Sequence, residues 1–336
     1  MSVLLLPLVF VLSLLLGLYF TPVARQAALR FGIVDRPDGN LKRQAEPVPY
    51  LGGLAVFLAY LIGLGVVLPF DHMLLGLLLA GTLTLLVGLV DDFGVLTPLA
   101  KLAGLGVAVF ALLRSGAVIE LAEVPLSLRW PLAALWLLAV SNSFNLLDIM
   151  DGLAAGVGAI AAVAMAIVAI STGQLPLAAS ALALAGALCG FVVFNVHPAR
   201  IYLGDAGSLA VGITLGAIAL ALRWSDQSPA GFLAPAAILV VPLADTAYVS
   251  VLRARAGRPF WHGSSDHFPL RLLRQLDGRV RPAVTVCYAI SGLGAVIGVG
   301  AAVLWPWQAA LVAVGVLGVA MLVMLALLAR IPMEPR

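Results

Sequence analysis

MLLGLLLAGTLTLLVGLVDD, residues 73–92, decides how the rest of the chain is read. Residues 73–90 carry no charge and are long enough to cross the roughly 30 Å hydrocarbon core of a bilayer as a helix; they end on Asp91 and Asp92. Composition carries the same message, because 62% of the 336 residues are hydrophobic and 10% are charged, whereas a soluble domain carries about a quarter charged residues. Comparable apolar stretches fall near 2–20, 50–69, 99–114, 131–147, 152–171, 176–194, 207–222, 230–249, 283–303 and 307–329. The expected fold is all-α: a single polytopic membrane domain over 1–336 with about eleven transmembrane helices.

Lysine and arginine orient these spans. With the N-terminus outside, the loops at 21–49, 91–101, 142–151, 195–206 and 250–282 and the C-terminus share one side and hold sixteen of the nineteen basic residues. The other side holds Arg114, Arg129 and Arg223. The positive-inside rule makes the first side cytoplasmic, so the net charge of +3 reflects topology and contact with anionic headgroups. No loop interleaves aromatic residues with a dense basic patch, which argues against nucleic-acid binding. Residues 1–20 lack a basic n-region and a small-residue cleavage site and are expected to stay as a first helix. Cys189 and Cys287 fall inside spans, with neither a disulfide framework nor zinc spacing.

Five aspartates of the expected cytoplasmic side stand where spans end: Asp91, Asp92, Asp148, Asp151 and Asp205. An ionisable group at membrane depth costs a few kcal/mol unless it is paired, hydrated or metal-bound. Asp91 and Asp92 project about 100° apart on a helix, so one can face a metal or phosphate while the other takes a proton or braces the helix end. Simple capping explains two carboxylates at a helix C-terminus poorly, since they oppose the helix dipole. In SNSFNLLDIMDG, Asn142, Asn145, Asp148 and Asp151 recur every three residues, so neighbours share a face and the ends diverge. Asn145 and Asp148 suit one site, with Asp151 reaching another part of a long ligand; a structural polar stripe is the alternative.

FNVHPARIYLGDAGSLAVG reads as an irregular loop feeding a helix that begins near Asp205. Gly204, Gly207 and Ser208 are expected to leave N–H groups exposed at its N-terminus, where anions bind, and Asp205 offers a hard oxygen to Mg²⁺. A plain N-cap is the alternative for Asp205. Tyr202 can stack on a base or anchor at the interface. His197, just before Pro198, reads as structural. Asp245 is expected to pair with an arginine such as Arg253 or to support the site, and the loop after it gathers His262, Asp266, His267 and Arg271, where a histidine can hold a phosphate or move a proton.

Taken in order, DRPDGNLKRQAEPVPYLGG, VDDFGVLTPLAKLAG, NSFNLLDIMDGLA, FNVHPARIYLGDAGSL and the His267 loop resemble the polyprenyl-phosphate N-acetylhexosamine-1-phosphate transferases. The resemblance spans Asp35 to Arg274. It implies a cytoplasmic-face active-site cleft in which Asp91 and Asp92 serve the lipid phosphate and metal, with Asp91 orienting or deprotonating that phosphate. It implies Asp205 as the Mg²⁺ ligand, with Mn²⁺ admissible in its place, and Asn145, Asp148 and Asp151 as binders of metal or nucleotide. Tyr202 then lies against uracil, Asn195 and Lys101 support the site, and Arg271 serves a diphosphate. The implied partners are a polyprenyl phosphate and a UDP-N-acetylhexosamine, in a bacterial inner membrane and with a homodimer admissible. Eleven spans resemble the N-acetylglucosamine branch; the muramoyl-pentapeptide branch has ten. Two departures bear on the sugar: Leu41-Lys42-Arg43-Gln44 replaces a histidine by Gln44, and His267-Phe268-Pro269-Leu270 keeps one histidine of a cluster. The rival class, a carrier for a lipid-linked sugar or a cation-coupled solute, calls for carboxylates near mid-membrane rather than at one face.

Overall fold

The computed structural model describes residues 3–35, 47–66, 72–94, 96–116, 125–257 and 266–331. His262 and residues 41–44, weighed above, lie outside them. The described chain is helical apart from a two-residue antiparallel ladder, β1 (Val34–Asp35) on β2 (Val48–Pro49). It falls into two compact units, one ending at Leu222 and the other beginning at Arg223.

The first unit holds α1 (Leu6–Phe31), α2 (Gly52–Gly65), α3 (His72–Asp92), α4 (Pro98–Arg114), α5 (Leu126–Leu147), α6 (Leu153–Ser171), α7 (Leu175–Asn195) and α8 (Gly204–Ala221). α8 is its axis. Residues 206–219 of α8 are all buried, and α2, α3, α5 and α6 pack around them. Small residues make this possible, since helices in a bilayer gain little from apolar burial and associate through close backbone approach. Gly212 of α8 lies on Ser141 of α5, and Gly186 and Gly190 of α7 lie on the α1 backbone at Phe10 and Leu14. Polar side chains add ties between helices: Ser141 Oγ donates to Leu209 O at 3.0 Å, and Trp136 Nε1 donates to Gly216 O at 3.1 Å.

The second unit contains α9 (Ala234–Ile238), α10 (Val240–Arg255), α11 (Phe268–Gln275), α12 (Val280–Val299) and α13 (Trp307–Leu328). The short helical stretch 229–238 and α10 meet at a 70° bend. Pro242 accounts for the break, because it has no N–H for the Ile238 carbonyl four residues back. Gly294 and Gly298 bring α12 against the backbone of α9.

All eleven apolar stretches expected from the sequence carry a helix. Eight of the described helices are long and apolar enough to cross a membrane, and the bent pair makes a ninth if it counts as one span. α2, described over 14 residues, and α4, with 17, stop short of the roughly 20 residues that a perpendicular crossing needs.

Exposed positions at helix ends and in a loop give a direct test of sidedness. In a background with Cys189 and Cys287 replaced by alanine, Gln275→Cys is expected to label only from the cytoplasmic side, and Ser171→Cys and Ser225→Cys only from outside. Labelling of Gln275→Cys by an impermeant maleimide on intact cells overturns the orientation.

Candidate active site

Four helix ends of the first unit converge at the start of α8. α3 stops at Asp92, where Gly94 takes a left-handed φ of 70° and its N–H closes on Asp91 O at 2.7 Å. After a short connection Thr97 caps α4, its Oγ1 accepting from Ala100 N–H at 3.3 Å, with Pro98 in the first turn. That places Lys101 one turn into α4. α5 runs to Leu147, so Asn145 lies in its last turn and Asp148 just beyond.

Three oxygens from three helices meet on one ammonium. Lys101 Nζ stands 2.6 Å from Asp91 Oδ2, 2.6 Å from Asp205 Oδ2 and 2.9 Å from Asn145 Oδ1. The Asn145 amide turns its Nδ2 the other way, to Asp205 Oδ1 at 2.8 Å and Ser208 Oγ at 3.1 Å. Asp205 is thus held from both sides. The crowding is felt next door: burial, helped by the carboxylates of Asp205 and Asp92, pushes Asp148 up to about 8 and so favours its neutral form, although Gly204 N–H bonds to it.

Asp92 faces elsewhere. Its Oδ1 accepts from Asp205 N–H at 2.8 Å and its Oδ2 from Ala206 N–H at 3.2 Å. With Gly204 N–H engaged by Asp148, the first donors of α8 are already bound by carboxylates of the chain itself. The N-terminus expected to receive a ligand anion therefore has protein anions on it. Ser208 is fully buried and serves Asn145.

Beside this cluster, the 196–203 loop is pinned by two side chains. Asn195 Oδ1 accepts from Gly152 N–H at 2.9 Å while its Nδ2 donates to Ile201 O at 2.9 Å. Asp151 Oδ2 accepts from Ala199 N–H at 3.0 Å and pairs with His197 Nδ1 at 2.6 Å. Asp151 and Asn195 thus hold the loop that carries Tyr202. The backbone of Tyr202 is clasped in turn, its N–H on Pro49 O at 2.7 Å and its carbonyl under Gly52 N–H at 3.0 Å. Half-buried beside Asp151, Asp35 and Asp148, its hydroxyl is pushed up to about 12, by burial first and then by those charges.

His267 and Arg271 belong to the second unit, where each is engaged. His267 is nearly fully buried, with Nδ1 2.6 Å from Asp245 Oδ2, and Asp245 Oδ1 accepts from Phe268 N–H at 2.9 Å. Asp245 thus holds His267, a residue that the sequence placed among the site candidates. Arg271 donates to Asp266 Oδ1 at 2.7 Å and to the carbonyls of Leu328, Ala329 and Ile331 at the end of α13. The pairing of His197 with Asp151 has no local signal in the sequence, since 46 residues separate the two.

Asp91, Asp205 and Asn145 present the hard oxygens that Mg²⁺ takes, aimed at one cation position. Among the described residues no group of three His, Cys, Asp or Glu side chains stands ready to hold a metal. An ammonium fills the centre, and Asp92 is turned away. Chemically, such a cluster suits phosphate chemistry only with added positive charge, because four carboxylates, those of Asp91, Asp92, Asp148 and Asp205, gather around a single lysine that pairs with two of them.

Residues 74–223 match glycosyl transferase family 4. The chain is 30% identical over 274 residues, 79% of its own length and 76% of the relative's, to a probable undecaprenyl-phosphate N-acetylglucosaminyl 1-phosphate transferase of Bacillus subtilis (strain 168). It is 32% identical over 316 residues, 82% of this chain and 77% of the other, to a decaprenyl-phosphate N-acetylglucosaminephosphotransferase of Mycolicibacterium smegmatis. A phospho-N-acetylmuramoyl-pentapeptide-transferase of Moorella thermoacetica is 36% identical over 220 residues, covering 58% of this chain and 68% of the relative.

The convergence on Lys101 has a measurable signature. Lys101→Met leaves two carboxylates facing each other and is expected to destabilise the purified protein by about 2–4 kcal/mol, near the range for a buried pair broken on one side. Adding Asp205→Asn should recover at least about 1 kcal/mol of that loss in a double-mutant cycle. Additive losses in thermal unfolding overturn the three-oxygen arrangement.

Proposed function

The chain belongs to glycosyl transferase family 4, the polyprenyl-phosphate N-acetylhexosamine-1-phosphate transferases, and on that premise we propose that it moves N-acetylglucosamine-1-phosphate from UDP-N-acetylglucosamine to a polyprenyl phosphate. The products are the lipid-diphosphate-linked sugar and UMP. The observation that carries this reading is the set of oxygens from Asp91, Asp205 and Asn145 turned on one cation position. In the proposed topology the chain crosses a bacterial inner membrane eleven times, with its N-terminus outside and the cleft on the cytoplasmic face, where nucleotide sugars are found.

A lipid-phosphate oxygen attacks the sugar-bearing phosphorus of the donor in line, and the bond from that phosphorus to the UMP oxygen breaks. Asp91 and Asp205 would hold Mg²⁺, or Mn²⁺, which supplies charge neutralisation of the diphosphate and of the leaving UMP. Asn145 fixes the Asp205 carboxylate through Nδ2. Asp91 orients the attacking phosphate, and Lys101, whose ammonium lies at that cation position in the structure, would turn its positive charge to the phosphoryl oxygens where a metal takes its place. Tyr202 receives the uracil on the loop that Asp151 and Asn195 hold in place.

The muramoyl-pentapeptide nucleotide is the second donor to consider, because a relative that shares 36% identity over 58% of this chain is named for it. Purified protein incubated with polyprenyl phosphate and UDP-N-acetylglucosamine is expected to release UMP, to stop on addition of EDTA and to resume with Mg²⁺. Offered both donors at equal concentration, it should consume UDP-N-acetylglucosamine first. Preferential use of the pentapeptide nucleotide overturns the choice of sugar, and full turnover in metal-free buffer overturns the cofactor.

A further inference from the structure

The geometry around α8 separates the two adjacent aspartates of α3, and we propose that Asp92 is a positioning residue that touches neither metal nor substrate. Its carboxylate grips the N-terminus of α8 and thereby aims the Asp205 side chain at the cation position. The inference rests on the reading of the reaction given above.

Three observations support it. Both oxygens of Asp92 are occupied by consecutive backbone N–H groups, those of Asp205 and Ala206, which lie among the four that a helix leaves without an internal partner. A carboxylate there is also favoured by the positive end of the helix dipole. Next, the carboxylate is confined. Gly204 adopts φ +74°, and a Cβ on it would lie 2.8 Å from Asp92 Oδ2 and 3.0 Å from Tyr50 O. One turn before Asp92, Gly88 rests on the α8 backbone so closely that a Cβ would lie 2.5 Å from Ala206 Cα. The end of α3 and the start of α8 are therefore in backbone contact, and the Asp92 carboxylate lies directly over the first turn of α8. Finally, Asp91, about 100° round the helix, is turned to Lys101 at 2.6 Å. One residue of the pair meets the cation position, and the other fixes the helix end that carries Asp205.

Asp205 has its main-chain N–H held by Asp92 and its carboxylate by Lys101 and Asn145. Releasing the main-chain grip lets the first turn of α8 fray and moves the carboxylate relative to Asn145. Substrate need not be touched for catalysis to fall.

Amide hydrogen exchange of the metal-free, substrate-free protein tests the proposal without relying on turnover. Followed over residues 203–209, Asp92→Asn should speed exchange of the Asp205 and Ala206 amides by about tenfold or more, as local opening becomes easier. Asp91→Asn should leave them unchanged. Asp92→Glu keeps the charge but adds a methylene that the contact with Gly204 cannot take, so it should release the same amides; it also serves if Asp92→Asn fails to fold. In turnover, Asp92→Asn should lower kcat by roughly 100-fold, the scale of a 1 Å misplacement, with KM for both substrates within about threefold. Unchanged exchange at 205–206 in both Asp92 variants overturns the positioning role. A wild-type protein that shows the expected exchange pattern but releases no UMP would instead refute the assigned reaction and leave the grip on α8 standing.

Discussion

A helix buried along nearly its whole length must still begin with donors that its own carbonyls cannot satisfy, and α8 meets that constraint with carboxylates. Asp92 takes the N–H groups of Asp205 and Ala206, and Asp148 takes that of Gly204. Because these acceptors come from the ends of α3 and α5, satisfying α8 also fixes where those helices stop relative to it. Lys101 and Asn145 then close around Asp205. The site is thus a by-product of seating one helix, and the glycine contacts at Gly88, Gly53 and Gly212 set how closely its neighbours approach.

Much of the fold was legible because hydropathy reports directly on the solvent that a segment meets. Residues 73–90, 152–171 and 176–194 read as spans, and helices α3, α6 and α7 occupy them nearly end to end. The bend at Leu239 was not legible as a break, since residues 230–244 are apolar throughout and their two prolines, Pro235 and Pro242, do not by themselves say where it falls. The ladder between Val34–Asp35 and Val48–Pro49 was equally hidden, being two residues long on each side.

For the site, sequence identified which residues carry charge but not what they face. Asp91 and Asp92 are adjacent and chemically identical, and only the position of α8 distinguishes a residue on the ammonium from a residue on the helix end. The free N–H groups expected at Gly204 and after it followed from a sound rule about helix N-termini. Those of Asp205 and Ala206 are taken by Asp92, which lies 113 and 114 residues away in the chain, beyond any local pattern. His267 and Arg271 show the same limit: both read as ligand-facing from a loop rich in His and Arg, and both are engaged by Asp245, Asp266 and the carbonyls ending α13.

A repeated construction explains why counting aspartates overstates the charge open to a ligand. Asp151 takes one histidine nitrogen and the N–H two residues further on; Asp245 takes one histidine nitrogen and the N–H of the next residue. Asp92 takes two N–H groups in succession. In each case a carboxylate binds main chain from a loop or helix start far away in sequence, which a carboxylate does well because its two oxygens accept several charge-assisted hydrogen bonds at once. At a membrane boundary that role has a second use. The carboxylate is held by main-chain N–H groups and an imidazole nitrogen, so it draws fewer of its hydrogen bonds from water. What remains for cation chemistry is Asp91 and Asp205, with Asp148 crowded beside them. Two carboxylates and an amide oxygen hold the one ammonium of Lys101, whereas five aspartates left free would repel the phosphates that a transferase of this family must bring together.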